Sequence, residues 1–170
     1  AGIRGRLRLG LARAIHQDGN AAGGIVVGEV DEHIAVARAV AELLPQENLV
    51  YAADCGFAPW GDRTDDFILE RTHALVSHLL RKDVKAIVIA CNTASSYALD
   101  ALRRSEDIPI IGVINAGARA AVSATKNGRI GVIGTDGTIN SKAYSSVLKS
   151  MNPAVEVFGK ACPLFVPLVE

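Results

Sequence analysis

Val84-Lys85-Ala86-Ile87-Val88-Ile89-Ala90-Cys91-Asn92-Thr93 is the stretch whose reading decides the fold. From Ala86 to Cys91 it is unbroken apolar sequence, and β-branched residues dominate it. A run this short, ended by Cys-Asn-Thr and followed by helical spacing, predicts a central parallel strand over Val84–Ala90, covered on both faces. A helix from about Thr93 to Arg104 follows it. Upstream, the same alternation predicts a strand over Ile25–Val30, a helix over His33–Leu44 that stops at Pro45, and a strand over Asn48–Ala53. Gly56–Arg63 gathers Gly, Pro and Trp and reads as a loop. Thr64 opens a long helix with Asp65 and Asp66 in its first turn, where the dipole favours acids.

Downstream the pattern repeats. Ile108–Val113 is a strand, Ala116–Ala124 a helix and Arg129–Gly134 a strand. The loop Thr135–Thr138 leads into a helix from about Asn140 to Met151. Ala154–Phe158 is the next strand, and Phe165–Glu170 begins a helix. Strands and helices alternating at this spacing define an α/β chain with a parallel sheet, arranged as a three-layer sandwich. Residues 1–24 stand outside the pattern. Arg4, Arg6, Arg8 and Arg13 give them the charge of a targeting segment, but they contain no serine and several glycines, so an irregular tail is expected.

Composition narrows the function. The 170 residues are 49% hydrophobic and 21% charged, which suits a globular chain. Eighteen basic residues balance eighteen acidic ones, against the basic excess of a nucleic-acid binder. No apolar run approaches the roughly 18 residues of a membrane span. Cys55, Cys91 and Cys162 form no CxxC pair and have no histidine at ligand spacing, so neither a metal site nor a disulfide framework is expected. Free thiols suit a reducing compartment such as the cytoplasm.

In open α/β sheets functional groups collect past the C-terminal ends of strands. Four loops qualify, after Val30, Ala53, Ala90 and Gly134. Cys91-Asn92-Thr93 is the most informative. A thiol there faces free backbone amides and the positive end of a helix dipole, which favour thiolate. The same amides can cradle a carboxylate or phosphate, with Asn92 and Thr93 adding donors. A plainer reading makes Cys91 an inert buried thiol and Thr93 an N-cap. Gly134-Thr135-Asp136-Gly137-Thr138 reads as a tight turn with a threonine cap, or as an anion loop that Asp136 would oppose. Trp60 either shapes a pocket wall or packs in the core. His73 and His78 are five apart, off the spacing for a shared metal, and the histidines are expected to be solvated.

These loops bring a family into view. AELLPQENLVYAADCGFAPWGDRT, KAIVIACNTASSYALDAL, IPIIGVINAGARAAV, KNGRIGVIGTDGTI and FGKACPLFVPLVE, in that order across residues 41 to 170, resemble bacterial glutamate racemases of the cofactor-independent aspartate/glutamate racemase superfamily. Aspartate and hydantoin racemases share the Cys-Asn-Thr loop, and a non-catalytic α/β module descended from such an enzyme is the rival from another class.

The resemblance implies two-base interconversion of L- and D-glutamate, without cofactor or metal, to supply D-glutamate for peptidoglycan. Cys91 matches one acid/base cysteine. Asn92 and Thr93 match residues holding the substrate's carboxylate and ammonium groups. Pro59, Trp60 and Gly61 match a Pro-Tyr-Gly substrate loop, with Trp for Tyr. Glu170 matches a glutamate that assists the opposite cysteine. The implied fold has two pseudo-symmetric domains, here part of the first over 25–113 and an incomplete second over 114–170. Its partner is glutamate, with no nucleic acid and no membrane. Two departures stand out. The family's opening Asp-Ser-Gly is replaced by Gly28-Glu29-Val30-Asp31-Glu32-His33, and its second cysteine, in a Gly-Cys-Thr-His motif, falls beyond residue 170. Cys162 matches a different position and is expected to be structural. On this reading the 170 residues racemise poorly alone, and open sheet edges favour association of copies into homo-oligomers.

Overall fold

The computed structural model describes residues 23–28, 32–54 and 56–169. Asp31, Cys55 and Glu170, all weighed above, lie outside them. The elements in chain order are β1 (Gly23–Gly28), α1 (Glu32–Leu43), β2 (Asn48–Ala53), α2 (Asp65–Leu80), β3 (Ala86–Ile89), α3 (Asn92–Ser105), β4 (Ile110–Gly112), α4 (Ile114–Ala124), β5 (Arg129–Gly134), α5 (Asp136–Asn140), α6 (Ala143–Met151), β6 (Glu156–Ala161) and α7 (Phe165–Val169).

Four strands make one parallel sheet in the order β2-β1-β3-β4, and β5 pairs with β6, also parallel, in a second. The β3 side chains alternate across their sheet as the pleat requires. Ile87 and Ile89 are fully buried against Ile68, Val76 and Leu79 of α2 and Ala94, Ala98 and Leu102 of α3. Val88 and Ala90 face the other way, with Val36 and Ala37 of α1, Tyr51 and Val113. Helices on both faces give the three-layer sandwich the sequence led us to expect. Lys85, the polar residue just before β3, is half out of the sheet and pairs with Glu47.

The β5–β6 sheet has helical cover on one face among the described residues. Ile130, Val132 and Val157 pack with Ala118 and Val122 of α4 and with Tyr144, Val147 and Leu148 of α6. On the opposite face Ile133 and Phe158 are exposed, beside an Arg129–Glu156 ion pair.

Several boundaries differ from the sequence reading: β3 and β4 are shorter than expected at both ends, and three other differences are larger. β1 runs over Gly23–Gly28 and not Ile25–Val30, because its register against β2 pairs Gly23 with Asn48 and Gly28 with Ala53. β6 is Glu156–Ala161, two residues later than expected at its start, since Glu156 is the residue paired with Arg129. The expected loop Thr135–Thr138 and helix Asn140–Met151 are instead two helices. Ser141 ends α5, and Lys142 breaks the path with a left-handed φ of 56° before α6.

Candidate active site

Cys91 sits between β3 and α3, where it has a structural role. The cysteine, not Thr93, is the N-cap: the Ala94 amide donates to Cys91 Sγ at 3.5 Å, and Ser95 N–H donates to Cys91 O at 2.9 Å. Ser95 Oγ also donates to Ile89 O at 3.0 Å, which ties the first turn of α3 to the end of the strand. The thiol is 7% exposed. A sulfur that accepts an amide proton at the positive end of a 14-residue helix sits where negative charge is stabilised.

Three of the four loops singled out from sequence converge here. The Gly137 amide donates to Gly61 O at 3.1 Å, joining the loop after β2 to α5. Gly61 is close enough that a Cβ would meet Thr135 Cγ2 at 2.7 Å, so the approach requires glycine. The hydroxyls of Thr93, Thr135 and Thr138 form a triangle with sides of 3.1, 3.3 and 3.1 Å, and Thr93 and Thr138 are 4% exposed. Thr135 caps α5 by accepting from the Thr138 amide at 3.2 Å, as the threonine-cap reading anticipated. The turn around it is helical. Tyr97 Oη donates to Gly137 O at 3.0 Å, and Tyr144 Oη to Asn92 Oδ1 at 2.8 Å.

The loop before Gly61 is anchored by a partly buried ion pair. Asp54, at the end of β2, is 1% exposed and accepts both Arg71 Nε at 2.7 Å and Arg71 Nη2 at 3.0 Å. Such a forked pair fixes orientation as well as distance. The Arg71 guanidinium also lies over the Phe57 ring, 3.9 Å from its centre, and its bond to Asp54 holds its pKa above the ordinary value.

Trp60 takes the packing alternative of its two readings. Its side chain is 3% exposed in the core with Ile68 and Leu75, so the indole forms no wall of an open cleft. Burial of so large an apolar surface outweighs display. The loop turns its main chain toward the junction at Gly61. A cleft of about 500 Å³ does open nearby, lined by Gly61, Asp62, Asp65, Tyr97, Asp136 and Gly137 among others, but Cys91 is not part of its lining.

Cys162 is half-buried, its thiol directed at Lys160 O at 3.7 Å, and its amide donates to Gly134 O at 2.8 Å. His73 and His78 are partly exposed, because α2 packs along the first sheet on one side only. Burial, and then Arg81 and Lys82, push the His78 pKa down. No group of three metal-ligating side chains occurs among the described residues, nor any helix long and apolar enough to cross a membrane. The tyrosines and the threonine triangle escaped the sequence reading. The tyrosines' partners, and those of Thr93 in the triangle, lie 40 to 52 positions away in the chain, and no local pattern marks them.

A parallel α/β sheet with a buried, helix-capping cysteine between two further strand-end loops defines the class. The chain belongs to the Asp/Glu/hydantoin racemase family, whose sequence profile matches residues 31–163. It is 45% identical over 137 residues to a glutamate racemase of Geobacter metallireducens, covering 81% of this chain and 51% of that one. Glutamate racemase isoform RacE1 of Bacillus anthracis superposes with a TM-score of 0.84 at 37% identity, over 87% of this chain and 56% of that one. The glutamate racemase of Francisella tularensis, solved in complex with D-glutamate, gives 0.80 at 32% identity, over 87% and 56%. The chain therefore spans about half the length of the relatives it matches.

Proposed function

We propose that the protein is a glutamate racemase and that Cys91 is one of its two acid/base groups. The observation that carries this is the position of Cys91 Sγ, accepting the Ala94 amide at the N-terminus of α3, where three strand-end loops meet. The α-proton of an amino-acid zwitterion is very weakly acidic, so a thiolate removes it only with help. Cys91 Sγ takes the proton and forms an S–H bond, while the C–H electron pair moves onto the α-carboxylate. Donors placed there stabilise that charge, more strongly where water is excluded. Asn92 and Thr93 supply side-chain donors, and Gly61 with the Trp60 main chain closes the adjoining edge.

Inversion then needs a proton delivered to the opposite face, each group serving as acid in one direction and base in the other. Removal and exchange of the α-proton is the half-reaction that Cys91 itself would perform. We assign Glu170, by resemblance alone, to the opposite side. We further assign residues 25–113 and 114–170 to two domains flanking the site, and the product to peptidoglycan precursor synthesis in the cytoplasm. The D-glutamate bound in the Francisella structure supports the choice of substrate.

The test is α-proton exchange of L- and D-glutamate in D₂O, followed by proton NMR, with aspartate and a hydantoin as competitors. Serine at position 91 keeps a capping oxygen, so Cys91→Ser retains the helix start. Exchange that Cys91→Ser abolishes is expected. Absence of exchange in a folded sample would replace this reading with a non-catalytic module, and preference for a competitor would move the substrate.

A further inference from the structure

Asn92 is exposed at the first turn of α3, one residue after the candidate base. A carboxamide has a donor end and an acceptor end, and the two ends suit opposite charges. In the structure it is the acceptor end that is committed. Tyr144 of α6 donates its hydroxyl to Asn92 Oδ1 at 2.8 Å, while Nδ2 makes no hydrogen bond among the described residues. The Tyr144 ring packs in the core of the β5–β6 sheet, beside Val147 and Leu148. Gly117 of α4 makes room for its tip, since a Cβ there would lie 3.0 Å from the hydroxyl. Burial raises the Tyr144 pKa, so at neutral pH the hydroxyl keeps its proton and remains a donor. The contact spans 52 positions and links the two sheets.

We propose that Tyr144 is a positioning residue: by holding Asn92 Oδ1 it leaves the Asn92 Nδ2 donors for a ligand bound beside Cys91, making that edge favour a carboxylate over an ammonium group. The proposal deepens the racemase reading and rests on it for the identity of the ligand. Orientation of the carboxamide does not rest on it.

Two measurements separate the two. In ligand-free protein carrying ¹⁵N-asparagine, loss of a signal in Asn92→Asp assigns the Asn92 side-chain amide. Tyr144→Phe is expected to shift that NH₂ pair and to quicken its exchange with water several-fold. A pair unchanged in Tyr144→Phe would overturn the positioning role whatever the protein binds. The second measurement is protection of Cys91 from iodoacetamide by L- and D-glutamate. The half-protecting concentration is expected to rise about three- to tenfold in Tyr144→Phe for both enantiomers, the range of one net hydrogen bond. Replacing Tyr144 by 4-aminophenylalanine restores a donor and is expected to restore protection. No rise, or a rise that the amino variant does not reverse, would overturn the proposal. If the amide pair shifts but glutamate fails to protect wild-type Cys91, the positioning stands and the racemase reading falls.

Discussion

Replacing Gly61 by alanine tests whether the junction of the strand-end loops is as tight as it looks. The backbone at Gly61 is not left-handed, so an alanine there meets only a packing problem. Its Cβ would lie 2.7 Å from Thr135 Cγ2 and 2.8 Å from Thr135 Cβ. Ordinary carbon contacts are about 3.5–4.0 Å, so the loop must retreat by roughly 1 Å. That retreat takes the bond from the Gly137 amide to Gly61 O, now 3.1 Å, out of hydrogen-bonding range. Overpacking costs about 1–3 kcal/mol, and a buried amide left without a partner costs a similar amount. We expect a total near 3 kcal/mol in urea denaturation, with a Tm lower by roughly 6–12 °C. Thr135→Ser removes Cγ2 but keeps the capping oxygen, so in the Gly61→Ala background it should restore about 1 kcal/mol of the loss. A loss below about 0.5 kcal/mol, or a serine that restores nothing, would refute the reasoning.

Arg71→Met leaves the buried Asp54 carboxylate without its forked partner and should cost about 3 kcal/mol in urea denaturation at neutral pH; a cost under about 1 kcal/mol would show the pair to be idle. His78, depressed first by burial and then by Arg81 and Lys82, should titrate below free histidine in proton NMR. Its contribution to stability is then present above the unfolded pKa near 6.5 and lost as pH falls through the folded value, a dependence that His78→Gln should remove. Tyr97 and Tyr144 are both raised, chiefly by burial. Their contribution is full below the ordinary tyrosine value near 10 and lost as pH rises through the folded values. Absorbance at 295 nm should show late-titrating phenols, with one fewer in Tyr144→Phe.

The layers of the fold were legible because burial leaves a period in the sequence. The alternation of Ile87 and Ile89 with Val88 and Ala90 sends side chains to two helical layers, and β2 and β5 fall on the residues expected of them. Strand order was not legible. β1 lies between β2 and β3, and that pairing depends on contacts distant in sequence. The break between α5 and α6 also left no trace, since a lysine occupies the left-handed position where glycine would have marked it. At the candidate site, Cys91 was singled out from its place at a strand end, and of the alternatives weighed there the Thr93 cap gives way to a cap by Cys91 itself. Trp60 was left between wall and core because aromatic residues in glycine-rich loops can serve either role, and only the core around Ile68 decides it. Tyr144 gave no signal at all, because its chemistry arises from a residue brought to it by folding.

The face of the β5–β6 sheet that carries no helix among the described residues has a practical consequence for the material in a tube. Ile133 is 65% exposed and Phe158 50%, and Leu164, Phe165 and Leu168 are exposed in the segment that follows. The chain carries eighteen positive and eighteen negative side chains, so at neutral pH no net charge holds molecules apart. Colloidal behaviour should therefore be poorest near pH 7, with turbidity rising in salting-out anions such as sulfate. A storage pH displaced by one or two units gives the molecules a common sign and keeps these patches in solution.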